Sequence, residues 1–342
     1  MITEATRRTT LLATAGLVLT TAIWGSTFVV VKDAITSIPV LDFLTLRFAL
    51  AFVVMLAVRP RALASLGRDG WRHGLVLGLV LAAGYAAQTF GLQAASASVS
   101  GFITGLFVVF TPLTAAVLLR RRVPPAVWVA VVVATVGLGL ISLHGLSIGR
   151  GELLTVAGAF FFALHIVGLG EWSHRNDAYA LAVVQIGTVA AFSLVLALAT
   201  GDGSALTLPA AASTWTAVVV TALLGTAAGF LLQTWSQARM SATRAAVVLT
   251  MEPVFAGLTG VLSGETLAAR GWVGAALVLG AMYLVELAPR GAADTAVAVD
   301  ADADTDTDTD TDTDTDTERT CTGLVHLGEQ HQVTADGKLA EV

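Results

Sequence analysis

Two charged side chains stand where the chain is otherwise apolar. Glu252 lies in VVLTMEPVFAG, residues 247–257, beside Pro253, and Arg47 lies in FLTLRFALA, residues 43–51. A charge at the centre of a membrane-crossing helix costs about 2.5–3.5 kcal/mol on insertion scales, so such groups face a bundle interior or a water-filled cavity. There Glu252 can exchange a proton or accept from a substrate donor. Arg47 can hold a substrate carboxylate or partner Glu252, and a structural ion pair or two separate snorkelling side chains are the alternatives. Pro253 has no amide hydrogen and interrupts the ladder near residue 249, so a helix kink is expected there. A helix broken at mid-depth exposes carbonyls to a cavity, although neighbouring helices also satisfy such freed groups.

Uncharged side chains extend the set. Trp24, Thr27, Tyr85, Gln88, Thr104, Gln185 and Gln233 would offer aromatic, hydroxyl and amide contacts to a ligand. Trp24 lies well inside its apolar stretch and not in an interfacial belt. Gln88 and Gln233 sit near the ends of theirs, where a structural or gating role is equally open. Ser100, Thr104, Thr111 and Thr114 recur at spacings that keep them on one face of a continuous helix; hydrogen bonding between helices or to their own backbone is the competing use of those hydroxyls. Gly101 and Gly105, like Gly260 and Gly264, form small-xxx-small pairs suited to close helix packing. His165 is alone in FFFALHIVG, with no second ligand at helical spacing, so it is expected to pack or line and not to bind metal.

The elements that must position these groups are membrane spans. Of 342 residues, 55% are hydrophobic and only 13% charged, against about 25% charged in soluble domains; mean hydropathy is +0.78. A span needs about 20 mostly apolar residues. Ten stretches qualify: 12–31, 40–58, 73–90, 97–119, 126–143, 152–170, 180–199, 214–233, 243–262 and 271–287. The first follows Arg7 and Arg8 but is too long for the core of a cleaved signal, so it is expected to be retained. With the N-terminus inside, thirteen Lys and Arg fall on one side and three (Lys32, Arg150 and Arg270) on the other. That asymmetry places both termini in the cytoplasm.

Net charge −6 hides two unlike parts: residues 1–290 carry 17 Lys and Arg against 11 Asp and Glu, and residues 291–342 carry 2 against 14. The tail holds DADADTDTDTDTDTDTDTE, residues 300–318, a two-residue acidic repeat expected to be disordered. It lacks the fixed ligands and Gly of a calcium loop. A single cysteine, Cys321, excludes an internal disulfide and a cysteine metal cluster.

Sliding the chain against itself gives a period near 140. Arg47 meets Gln185 at an offset of 138, QTFGLQAASAS from Gln88 meets QTWSQARMSAT from Gln233 at 145, and Trp128 meets Trp272 at 144. The repeating unit is five spans. Five is odd, so the second copy enters the membrane from the opposite side, an inverted pair of the kind secondary transporters use to build a midplane site. The copies differ at their polar positions: Glu252 and Pro253 align with Phe107 and Val108.

AIWGSTFVVVK, FLTLRFALA, GLQAASASVSGFITGLFVVFTPL, RAAVVLTMEPVFAGLTGVLSGE and GWVGAALVLGAMYL, in that order over residues 12–287, resemble the EamA family of the drug/metabolite transporter superfamily. The resemblance implies an all-α membrane protein of ten helices in two repeats, 12–143 and 152–287, between a cytoplasmic segment 1–11 and the tail 291–342. It implies a multi-pass carrier of small metabolites or xenobiotics in a bacterial plasma membrane, often an exporter, with a central cavity. Arg120–Arg122 depart from the Gly-Glu pair common in the family's repeats, so no role passes from Glu265 to that site.

The expected partners are the lipid bilayer, a small-molecule substrate and, as coupling ion, protons, with proton antiport through Glu252. No nucleic acid, cofactor or metal is expected, and no G-x-x-x-x-G-K-[ST] loop for ATP occurs. Three other functions compete: a facilitative carrier or importer, a non-transporting sensor or assembly subunit, and an intramembrane enzyme. The last needs a paired nucleophile and base or converging metal ligands.

Overall fold

The computed structural model describes residues 4–120, 125–142, 149–200, 206–240, 245 and 248–287, and no strand occurs among them. The helices are α1 Glu4–Ala34, α2 Val40–Val58, α3 Arg68–Ala94, α4 Ala97–Thr104, α5 Phe107–Leu118, α6 Pro125–Ser142, α7 Arg150–Trp172, α8 Ala178–Thr200, α9 Ala212–Val220, α10 Gly229–Gln237, α11 Met251–Leu262 and α12 Ala269–Leu287. A π-helical stretch, Thr221–Ala228, joins α9 to α10.

Among the described residues, seven helical stretches are long and apolar enough to cross a membrane: Leu11–Ala34, Val40–Val58, Arg68–Ala94, Ala97–Leu118, Arg150–Arg175, Ala178–Thr200 and Ala212–Gln237. The stretches expected at 126–143, 243–262 and 271–287 appear as shorter apolar helices, Trp128–Leu140, Met251–Leu262 and Ala269–Leu284. Part of the ninth expected span, and the whole tail 291–342 with Cys321 and its acidic repeat, lie outside the described residues.

The bundle has two large apolar cores. One gathers Phe43, Leu44 and Phe48 of α2 with Leu81, Val183 and Ile186; the other gathers Ile103, Val108, Ala159, Leu249, Val278 and Met282. Apolar side chains also cover the outside, including Trp128, Val132, Leu262 and Trp272, as expected where hydrocarbon and not water is the surrounding solvent.

Two helices are interrupted inside the bundle, one where a continuous span was expected and one beside Pro253. The stretch 97–118 is interrupted at Gly105–Leu106, between Ser100 and Thr104 on one side and Thr111 and Thr114 on the other, and all four are buried. Thr111 bonds back to the Phe107 carbonyl, 2.7 Å. Pro253 falls in the first turn of α11, whose N-cap is Thr250. A missing amide hydrogen costs little there, and the interruption falls at Thr250, next to residue 249. The two breaks meet, because a Cβ on Gly105 would lie 2.8 Å from Pro253 Cγ.

α1 packs along α11 with near backbone contact. A Cβ at Gly25 would lie 2.5 Å from the Glu252 carbonyl and 2.6 Å from Phe255 Cβ, so only glycine lets α1 approach the start of α11. Gly264, at φ +94°, turns the chain out of α11 and presents Glu265. The Glu265 carboxylate accepts from the Ala97 amide at 2.7 Å, the Ser98 amide at 2.9 Å and the Ser98 hydroxyl at 2.6 Å. It thereby satisfies amides that the start of α4 leaves unpaired. At the same end Lys32 Nζ donates to the Leu92 carbonyl at 2.9 Å and the Ala95 carbonyl at 2.5 Å. At the opposite end Arg59 and Asp177 form an ion pair, 2.7 Å, between α2 and the start of α8.

Candidate functional site

One cavity collects Trp24 and Thr27 of α1, Arg47 of α2, Tyr85 and Gln88 of α3, Thr104 of α4, Gln233 of α10 and Glu252 of α11. Segments far apart in sequence are brought to one place, with Phe28, Phe107, Phe162 and Phe230 as apolar walls. Gln185 is not in the lining; it stands one shell back, its Oε1 2.7 Å from Nε2 of the lining residue His165. Because the Gln185 amide nitrogen donates to the Leu181 carbonyl, its oxygen is left to accept and the histidine to donate. Gln88 and Gln233 lie within helices that run on beyond them to Ala94 and Gln237. Both line the cavity, where Gln88 Nε2 donates to Thr104 Oγ1 at 3.0 Å.

About 50 Å³ of this cavity is open to the centre of a water molecule, room for several waters at about 10–15 Å³ each. Its walls are ordered by ring contacts. Tyr85 stands edge-on to Phe48 at 4.8 Å and to Phe162 at 5.3 Å, and Trp24 lies 5.1 Å from Phe230.

Arg47 and Glu252 are 3% and 5% exposed. They do not pair, since the ion pair found within 4.0 Å among the described residues is Arg59–Asp177. Arg47 Nε instead donates to Thr226 Oγ1 at 2.8 Å, with the guanidinium carbon 5.1 Å from the centre of the Tyr85 ring. No described residue donates a hydrogen bond to the Glu252 carboxylate. Gln233 Oε1 is fully buried without a partner. A buried acceptor left unmatched costs about 1–3 kcal/mol, so Gln233 is suited to a donor that is not part of the protein, and Glu252 lines the same cavity.

The π-helical stretch is the feature that sequence reading missed. Thr226 Oγ1 donates to the Thr221 carbonyl five residues back, 3.0 Å, and Trp24 Nε1 donates to the Gly225 carbonyl at 2.6 Å. Thr226 aligns with Leu81 of the first copy at the offset of 145, and this hydroxyl-for-leucine difference was the one available signal. Among the described residues no three His, Cys, Asp or Glu side chains converge as metal ligands. His165 bonds an amide and not a hydroxyl nucleophile.

Comparisons with known proteins agree on the kind of molecule. The profile of the EamA-like transporter family matches twice, over residues 11–143 and 149–287. An uncharacterized transporter of Archaeoglobus fulgidus is 31% identical over 280 residues, covering 81% of this chain and 86% of the relative. A second uncharacterized transporter of that organism is 24% identical over 273 residues, covering 79% and 94%. A solved crystal structure aligns with a TM-score of 0.60 at 19% identity, over 82% of this chain and 97% of that one, a likeness of fold.

Proposed function

Because this chain belongs to the EamA-like transporter family and is a multi-pass membrane transporter, we propose that it exports a small metabolite or xenobiotic by proton antiport through the cavity between α1, α2, α3, α4, α10 and α11. The observation that carries this reading is the unpaired Glu252 carboxylate, buried in a cavity that also holds Arg47. In a carrier with one exchangeable carboxylate, proton and substrate compete for the same group, and that competition couples their opposite movements.

The ten apolar stretches form two inverted five-helix repeats, 12–143 and 152–287, in a bacterial plasma membrane. The segment 1–11 and the tail 291–342 lie in the cytoplasm, an orientation supported by the thirteen-to-three distribution of Lys and Arg. Access then alternates as the inter-repeat contacts at the two ends open in turn: Glu265 on the start of α4 at one end, Arg59 with Asp177 at the other.

The test has two stages. Metabolite profiles of cells and medium are compared with the gene deleted and overexpressed, and the solute whose distribution shifts is followed into proteoliposomes bearing the purified protein. Export predicts depletion of that solute from the medium on deletion and saturable flux in proteoliposomes. No flux of any shifted solute contradicts the reading.

A further inference from the structure

Thr221–Ala228 winds as a π-helix inside an otherwise α-helical crossing, with no proline in the stretch to force it. Its counterpart in the first copy lies within α3, which is α-helical throughout. Wide turns of this kind are frequent at functional positions. Here both of its outward hydrogen bonds go to cavity side chains: Gly225 O accepts from Trp24 Nε1 and Thr226 Oγ1 accepts from Arg47 Nε. The Thr226 hydroxyl proton is committed to the Thr221 carbonyl, so its oxygen is fixed as an acceptor and cannot rotate away. With Nε held and the Tyr85 ring beside it, the guanidinium plane is set while no carboxylate of a described residue lies within 4.0 Å. A buried guanidinium fork, held by its inner nitrogen, matches a planar anion.

We propose that Arg47, with Thr226 as its positioning residue, is a preorganised anion subsite, and that the transported solute carries a carboxylate at that end. This rests on the reading of the cavity as the transport site. Thr226 does not touch the solute; it acts through Arg47. The aromatic walls then take an apolar body, and Glu252 with Gln233 faces the solute's other end.

The test uses the full chain in nanodiscs and two matched probe sets, 3-phenylpropionate with its amide and amine analogues, and hexanoate with its own. Binding is read as the rise in thermal midpoint with probe concentration. The carboxylates are expected to bind about tenfold or more tightly than the amides, as for a hydrogen-bonded charge. That preference is lost in Arg47→Gln, falls in Thr226→Val and returns in Thr226→Ser; the Thr226 pair alone decides if Arg47→Gln does not fold. Equal binding of amide and carboxylate, or a Thr226→Val protein that keeps the full preference, overturns the subsite. Preference for an amine that Glu252→Gln removes overturns it while leaving the cavity as the transport site. Binding in no charge state that cavity substitutions alter overturns both.

Discussion

Arg47 and Glu252 share one cavity, each at least nine-tenths buried, without forming an ion pair. Two opposite charges held in a low-dielectric interior attract strongly, so a fold that keeps them apart leaves both available to a ligand. Substituting Glu252 strands no described donor, whereas substituting Arg47 leaves the buried Thr226 oxygen without the donor it accepts from. Glu252→Gln is therefore expected to insert and fold, and Arg47→Gln to fold with lower stability, each reducing transport by tenfold or more, on the order of the loss for one hydrogen-bonded charge. Fluorescence-detected size exclusion checks folding and proteoliposome flux checks activity.

The Glu265 cap ties the second half of the chain to the start of α4 through three hydrogen bonds. Glu265→Ala is expected to destabilise the protein by about 1–2 kcal/mol, the upper range for a lost helix cap. The same change should speed amide exchange at Ala97 and Ser98, read by hydrogen–deuterium exchange of the peptide that contains them.

Gly25 has no room for a side chain against the Glu252 carbonyl and Phe255. Gly25→Ala is expected to cost about 1–3 kcal/mol through overpacking and to displace the start of α11 with Glu252. Thermal unfolding in detergent reads the first effect. Flux in the protein that remains folded reads the second.

Asp177 gives a pH signature at one end of the bundle. Partial burial pushes its carboxyl up, but the Ala180 amide and the Arg59 guanidinium outweigh that and hold it below the usual carboxylate range. A carboxyl lowered on folding stabilises the folded state above its unfolded value, about 3.9, and that contribution is lost as pH falls through the lower folded value. Wild type should therefore exceed Asp177→Asn in thermal midpoint at neutral pH, with the gap closing below about pH 4. Both partners are substantially exposed, so the gap is small and shrinks with added salt.

Arg47, Glu252 and the polar residues around them were legible because charge and amide groups are rare and costly in apolar stretches. Eight of the nine residues singled out for the pathway line the same cavity, and Gln185 stands directly behind it. Thr226 was not legible: in TALLGTAAGF nothing local distinguishes a π turn from an α turn, and the choice is made by Arg47 and Trp24 reaching in from other helices. The break at Gly105–Leu106 was missed for a similar reason, since it lies where Gly105 meets Pro253 across the bundle. The period-3.6 spacing of Ser100, Thr104, Thr111 and Thr114 assumed one uninterrupted helix, which ends and restarts at Gly105–Leu106.

The central claim, that Glu252 exchanges a proton against the solute, is tested most directly by flux of the identified solute in proteoliposomes under an imposed pH gradient. Wild type is expected to accumulate solute against its own gradient when protons flow the opposite way. Glu252→Gln should exchange solute downhill with no response to the pH gradient. A Glu252→Gln protein that keeps the wild-type pH-driven accumulation would contradict it.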